Sequence, residues 1–329
     1  MVPNQWYGIL ASKQVKRGQV LGAVRCGLRL ALFRAKDGTL GCVEDLCPHR
    51  GAALSCGKLT EDGLQCPFHG LQFLPDGKCS FVPALGKAST EDLTRFHVRS
   101  YPVREAHGMI YLWYGEGEPD LAAPLPFFDE YIDKGFSRSL FWDHWNSHYS
   151  RCIENQLDVV HLPFVHHNTI GRGHKTVVNG PAVLMEYDFL RTSADNAQDV
   201  GQAPKTPEEC KVGEKLFLGF RFPNVWMNHI APGYKLVIFF APVDDENTVL
   251  YIFTYTKFTP LRAVNRVAAW ASKPMAYIIE RQDRRVVTTQ RPKPSSFFGK
   301  EQLLVGDRPI VFYRKRRDEL QRAAQQKQP

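Results

Sequence analysis

Residues 47–70 constrain this chain more than any other stretch. They read Cys47-Pro48-His49-Arg50-Gly51 and, after fourteen further residues, Cys66-Pro67-Phe68-His69-Gly70. Each of the two short loops offers one thiolate and one imidazole. That donor set suits a two-iron, two-sulfide centre in which Cys47 and Cys66 hold one iron and His49 and His69 the other. The alternative is a structural zinc ion on the same four side chains. Zinc sites usually pair Cys with Cys and His with His at short spacing, whereas here each loop is mixed. Pro after each Cys and Gly after the histidines suit tight turns, because Pro fixes φ and Gly tolerates positive φ.

At 329 residues the chain is long enough for two domains with separate cores. Its N-terminus lacks the apolar core of a signal peptide, and Lys13, Lys16 and Arg17 interrupt what pattern there is. The longest apolar run, Leu236 to Val243, is strand-sized, far below the roughly 18 residues of a membrane span. A cytoplasmic enzyme with no membrane partner is expected. Cys26, Cys42, Cys56, Cys79, Cys152 and Cys210 are scattered and read as reduced thiols. The net charge is +8, but Lys and Arg are spread along the chain without an aromatic-basic motif. Nucleic-acid binding is not expected; a basic surface for an acidic electron-transfer partner fits better.

Residues 20 to 115 read as short strands and turns. Leu28, Leu30 and Leu32 alternate with Arg29, Ala31 and Phe33 ahead of Asp37-Gly38, a hairpin signal. Pro75-Asp76-Gly77 marks a second turn, and Met109 to Tyr114 a further strand. Gly115 to Pro126 is rich in Gly and Pro and reads as a linker, which divides the chain into residues 1–118 and 119–329. In the second part, strands are expected at Leu216 to Phe222, Lys235 to Phe240 and Thr248 to Phe258. Residues 191–214 read as a loop. A helical pattern follows from Leu261 to Gln290, broken or restarted at Pro274, and a charged helical tail begins near Tyr313. The basic run Arg314 to Arg317 in that tail reads as a solvated face.

A second constellation lies at residues 154–167, Glu-Asn-Gln-Leu-Asp-Val-Val-His-Leu-Pro-Phe-Val-His-His. Asp158 and His161 are three apart and would share a helix face. Pro163 would end that helix near His161, leaving His166 on non-helical chain able to fold back towards His161. Two imidazoles plus one carboxylate, with open positions, make the facial triad of a non-haem Fe(II) centre. His144, His148, His167 and His174 are read as surface or supporting residues. The carboxylate is expected from Asp283, which sits on an otherwise mainly apolar helical stripe with Ala276, Ile279, Val286, Val287 and Gln290. Burying it unpaired would be costly, and a metal bond removes that cost. A salt bridge to Arg281 or Arg284 is the alternative.

The two loops resemble the Cys-x-His and Cys-x-x-His motif of Rieske [2Fe–2S] proteins. Neither loop carries the extra Cys of the respiratory branch. Asn155, Asp158, His161 and His166 resemble the Asn-x-x-Asp-x-x-His-x-x-x-x-His motif of Rieske non-haem iron oxygenases, and residues 280–292 resemble that family's third-ligand segment. The resemblance implies an α+β chain: an N-terminal all-β Rieske domain, then a helix-grip catalytic domain built on an antiparallel sheet. It implies a [2Fe–2S] cluster on Cys47, His49, Cys66 and His69, mononuclear Fe(II) on His161, His166 and Asp283, and O2 as co-substrate. It further implies a homotrimer in which Asp158 bridges His69 of one chain to His161 of the next, with Asn155 supporting that link.

An NAD(P)H-dependent flavin or iron–sulfur reductase, or a ferredoxin, would supply electrons. The family's Trp after the second His-Gly is Leu71 here, and the chain is short, which fits the compact monooxygenase and demethylase branch. Hydroxylation or oxidative demethylation of a small, partly apolar, aromatic or heterocyclic molecule is the expected activity. Cis-dihydroxylation of an aromatic ring, or electron carriage with a non-catalytic second domain, are the alternatives. Phe220, Phe222, Trp226, Phe239 and Tyr255 could line a pocket or form plain core, and Asn228 or His229 could orient a polar group.

Overall fold

The computed structural model describes residues 1–61, 63–173, 177–198 and 205–326. His174 lies outside the described residues. The chain divides into two compact units, Asn4–Leu125 and Pro126–Pro329, the second also taking Met1–Pro3. The division falls within the Gly- and Pro-bearing stretch that ends at Pro126.

The smaller unit is made of strands. Its elements are β1 (Gln5–Ala11), β2 (Gln19–Arg25), β3 (Leu28–Arg34), β4 (Leu40–Glu44), β5 (Lys58–Thr60), β6 (Gly63–Gln65), β7 (Gln72–Phe73), β8 (Cys79–Phe81), β9 (Val103–Ala106) and β10 (Met109–Tyr114). They form three antiparallel sheets, ordered β1-β10-β9, β2-β3-β4 and β5-β6-β7-β8. The β3–β4 hairpin turns at Asp37-Gly38, where Asp37 Oδ1 accepts the Thr39 amide at 2.8 Å. At the β7–β8 turn Gly77 has φ +85°, and a Cβ there would meet Val98 O at 1.9 Å. Only Gly can stand at that point. The core joins Phe33, Val43, Leu54, Leu64 and Phe73 to both loop cysteines and Leu71. Where Trp was expected from the family pattern, Leu71 fills the space beneath Cys66, 2% exposed.

The larger unit opens with β11 (Ser137–Trp145), α1 (Tyr149–Leu157) and the single turn α2 (Leu162–Val165). It continues through β12 (Val177–Glu186), β13 (Phe189–Gln198), β14 (Phe217–Arg221), β15 (Val225–Ala231), β16 (Tyr234–Pro242) and β17 (Thr248–Thr256). It closes with α3 (Arg262–Ala271), α4 (Lys273–Val287) and α5 (Arg308–Gln326). The strands make one antiparallel sheet in the order β11-β17-β16-β15-β14-β13-β12. Consecutive strands β11 and β12 therefore lie at opposite edges. The chain between them must span the sheet, and α1 and α2 lie on that crossover. Residues 191–198, expected as loop, belong to β13. Their polar sequence hides a strand because they pair with β12 as far as Gln198, and Arg191 and Thr192 with β14 as well.

Pro274 stands at the first turn of α4, where a missing N–H costs nothing, so it restarts the helix after α3. The basic tail is not a solvated face. Arg314 and Arg317 are 4% and 6% exposed, while Lys315 is exposed. Arg314 meets the buried Glu154 of α1 through two hydrogen bonds of 2.8 Å, and Arg317 donates to Ser295. Sequence spacing could not reveal this, because the acceptor lies 160 residues away. Among the described residues no helix is long and apolar enough to cross a membrane.

Replacing Arg314 with Met leaves Glu154 charged and buried, and is expected to cost about 3–5 kcal/mol of stability. Lys315→Ala should stay within about 0.5 kcal/mol of the parent. Urea unfolding of the two variants checks the contrast.

Candidate metal centres and substrate cavity

The two cysteine loops share one backbone frame. The Cys47 amide donates to Ala52 O at 2.8 Å and the Gly51 amide to Cys47 O at 2.8 Å. The Cys66 amide donates to Leu71 O at 2.7 Å and the Gly70 amide to Cys66 O at 3.2 Å. Gly51 and Gly70 both have positive φ, +70° and +78°. Identical turns thus account for the repeated Cys-Pro and Gly positions. His49 follows its Cys by two residues and His69 by three, so the imidazoles leave the shared frame at different points.

Cys47 and Cys66 are buried and stand within hydrogen-bonding reach of one another. His49 and His69 are exposed, their ring centroids 4.6 Å apart. The sulfurs sit on the inside and the imidazoles at the tip. Burial pushes the Cys47 thiol up to about 11, although the His49 and Arg50 amides aim at its sulfur and favour the thiolate. A single tetrahedral zinc would draw its four donors to within about 4 Å of each other. Among the described residues, the one group of three potential metal donors within 4.8 Å of one another lies elsewhere. A paired-thiol end and a paired-imidazole end fit two irons better than one zinc.

That compact group is His161, His166 and Asp283. Helix α1 ends earlier than its sequence suggests. Asp158 is its C-cap in extended conformation, and His161 caps the N-terminus of α2, so the two do not share a helix face. His166 follows α2 as its non-helical C-cap, and its ring comes back to within 5.2 Å of that of His161. The break still brings His161 Nδ1 to 3.6 Å from Asp158 Oδ2, an electrostatic neighbour beyond hydrogen-bond range. The other Asp158 oxygen accepts the Val160 amide at 2.7 Å. Burial opposes a charge on His161, but Asp158 and Asp283 outweigh it and lift its pKa to about 9.

Gln282 sets the state of His166. Its Oε1 faces His166 Nδ1 at 2.8 Å and also accepts from Thr169 at 2.8 Å, while its amide nitrogen donates to Asn168. A carbonyl oxygen can only accept, so Nδ1 of His166 carries a proton, and in the neutral ring Nε2 presents a lone pair. That lone pair lies 2.9 Å from Asp283 Oδ1, which is buried and has no hydrogen-bond partner. Gln156 donates to the other Asp283 oxygen at 3.3 Å. Two acceptors facing each other need a metal ion or a proton between them, and His161 Nε2, 3.5 Å from Asp283 Oδ1, completes the ring of donors. The residues fit a divalent metal of the two-His, one-carboxylate kind.

The alternative Arg partner for Asp283 is not found: Arg284 bonds Asp143 and Arg281 lies over Tyr277. Among the other histidines, His148 caps α1 at the Ser150 amide, His144 is exposed, and His167 is exposed against Phe164 O.

A cavity of about 480 Å³ opens beside this group. Its lining includes Asn155, Asp158, His161, His166 and Asp283, with Trp226, Asn228, Ile230, Leu236, Met275 and Ile279. Residues 226, 228 and 230 alternate on β15 and so face it together. Of the five aromatics considered from sequence, Trp226 lines the cavity. Phe220 and Phe222 pack on Tyr313 in the core, and Phe239 stacks on Phe127, beside Tyr255. Asn228 lines the cavity, whereas His229 is held by Lys215 O. Asn155 lines it with a buried amide nitrogen that has no partner. Gln156, Gln282 and Glu280 escaped sequence reasoning, because their roles depend on partners or a cavity assembled from distant chain.

Residues 5–102 match the Rieske [2Fe-2S] domain family, and residues 145–323 match the vanillate O-demethylase oxygenase C-terminal domain family. The chain is 35% identical over 167 residues to the oxygenase component of dicamba O-demethylase from Stenotrophomonas maltophilia, covering 50% of this chain and 48% of that protein. It is 34% identical over 261 residues to cholesterol 7-desaturase nvd from Xenopus laevis, covering 77% and 56%. Protein TIC 55 of Arabidopsis thaliana is 34% identical over 171 residues, covering 50% and 31%. The chain thus spans about a third to just over half the length of these relatives. Among solved structures, dicamba monooxygenase bound to dicamba superposes with a TM-score of 0.75 at 20% identity, covering 99% of both chains. The Pseudomonas putida CBB5 NdmA QL mutant with caffeine gives 0.78 at 20% identity, covering 98% and 92%. At that identity the likeness speaks for fold alone.

Gln282→Leu removes the acceptor that fixes His166. Its affinity for Fe(II) is expected to fall about 10–100-fold with cluster absorbance unchanged, read by iron retention against a chelator. Gly171→Ala should act in the same direction, since a Cβ there would meet Leu162 O at 1.9 Å and His166 O at 3.0 Å.

Proposed function

The chain belongs to the Rieske oxygenases with a vanillate O-demethylase-type C-terminal domain, and from that premise we propose that it is a terminal oxygenase component. It would hydroxylate or oxidatively demethylate a small, partly apolar molecule; the name of the relative dicamba O-demethylase, oxygenase component, supports the demethylating form of that reading. The observation that carries the reading is the facing pair His166 Nε2 and Asp283 Oδ1 at the head of a largely apolar cavity.

Cys47, Cys66, His49 and His69 would hold the [2Fe–2S] cluster, and His161, His166 and Asp283 the Fe(II). When bound, these groups supply one-electron delivery and O2 activation beside the substrate. The chain's own residues do the positioning. Gln282 holds the His166 tautomer, Gln156 turns Asp283 so that Oδ1 faces the imidazoles, and Asp158 orients His161. The apolar walls from Ile230, Leu236, Met275 and Ile279 exclude water and bind the carbon frame of the substrate.

The electron donor would be a flavin or iron–sulfur reductase using NAD(P)H, or a ferredoxin, attracted by the chain's excess of positive charge. We place the protein in the cytoplasm and assign it a homotrimer, with the exposed His49–His69 tip of one protomer set against Asp158 of its neighbour. Exposure of both imidazoles in the single chain supports a docked partner there.

A screen of aromatic ethers and N-methyl heterocycles for substrate-dependent O2 and NAD(P)H consumption with an added reductase tests the activity. One oxygen atom from O2 is expected per turnover, kept in a hydroxylated product or released in formaldehyde on demethylation, and two in one ring product would favour dihydroxylation. Asp158→Asn should keep the metal content but lose most of the substrate-coupled turnover. Light scattering after gel filtration should give the mass of three chains; the mass of a single chain would contradict the assembly.

A further inference from the structure

Helix α4 shows the cavity Ser272, Met275, Ala276, Ile279, Glu280 and Asp283, the three- and four-residue spacing of one helical face. Asp283 ends that stripe among the imidazoles. Glu280 stands one turn earlier and takes no part in the metal group. Its side chain is 2% exposed, and its Oε2 has no hydrogen-bond partner. A buried carboxyl oxygen without a donor is costly unless a ligand supplies one. On the strand wall of the same cavity, Trp226 is 3% exposed and its indole Nε1 is likewise without a partner.

The remaining polarity is one-sided. Among the described residues lining the cavity there is no Lys or Arg. Burial, reinforced by the charges of Asp283 and Asp143, pushes the Glu280 carboxyl well above the usual range. Beside Glu280 an anionic substrate group would meet an acid and no Lys or Arg. A nitrogen bearing a hydrogen would meet a vacant acceptor.

Resting on the reading of this cavity as the substrate site, we propose that Glu280 is its specificity-determining residue, accepting an N–H from an amine or amide-like nitrogen of the substrate. The apolar remainder of the molecule lies against Ile279, Met275 and Leu236, and Trp226 donates to an acceptor on it. Carboxylate-bearing aromatics are disfavoured by the same wall.

The test is calorimetric binding to the metal-loaded protein under nitrogen, without turnover. The probes are para-methoxybenzylamine, para-methoxybenzamide and para-methoxybenzoate. At least one of the two N–H compounds should bind about tenfold or more tightly than the benzoate, the value of one hydrogen bond to a buried carboxyl. Which one wins tells a charged donor from a neutral one. Glu280→Leu should abolish that advantage without weakening benzoate binding. Benzoate binding equal to or tighter than both N–H compounds, no binding of any probe, or equal weakening of all three in the variant overturns the proposal. The wild-type ranking needs no variant, so a misfolded Glu280→Leu leaves the test decisive. A protein that shows this ranking but never consumes O2 would overturn the oxygenase reading alone.

Discussion

Two hydrogen-bond acceptors forced together at 2.9 Å, His166 Nε2 and Asp283 Oδ1, set the terms for the larger unit. With a neutral imidazole such a contact is repulsive until a metal ion or a proton lies between the two atoms, and the fold holds both partners in place. It does so from each side. Gln282 and Thr169 fix the imidazole, and Gln156 fixes the carboxylate. Behind them the buried Glu154–Arg314 pair ties α1 to α5, with Arg151 bonded to Glu301 beside it. Breaking such a pair leaves a buried charge, so α1, which carries Gln156 and is capped by Asp158, is held firmly against α5. Sheet order contributes as well. Because β11 and β12 sit at opposite edges, the chain that joins them must cross the sheet beside the cavity, and the histidines ride on that crossing.

The same cavity wall holds two acids in opposite states. Asp283 has two imidazoles to offset its burial and is held below the usual carboxylate range. Glu280, one turn away, has none and is pushed above it. One helix face therefore presents to the same space a carboxylate favoured in its charged form and a carboxyl whose burial works against charge. The first would serve a metal and the second, on the proposal above, a nitrogen-bearing substrate.

Much of this was readable from the residues because it is local. The two five-residue loops, the Asp37-Gly38 hairpin and the Pro274 restart each depend on neighbours in sequence. The gathering of His161, His166 and Asp283 was also foreshadowed, since spacing narrows where His161 and His166 can go and an Asp on an apolar stripe demands a partner. What could not be read depends on distant chain. Residues 191–198 are polar yet form a strand, because sheet pairing rather than composition holds them. Arg314 and Arg317 look solvated until Glu154 and Ser295 are brought to them. Asp158 and His161 were expected on one helix face, and meet instead across the break between α1 and α2. Gln282 carries no local sign that its partner is His166.

The most direct test of this account is an iron count on the purified chain and on Asp283→Ala, with the cluster followed by its absorbance. About three irons per chain are expected for the parent, two in the cluster and one on the triad. The variant should retain the cluster with about two irons. Two irons in both proteins, or a variant that keeps all three, would contradict the assignment of His161, His166 and Asp283 as a metal centre.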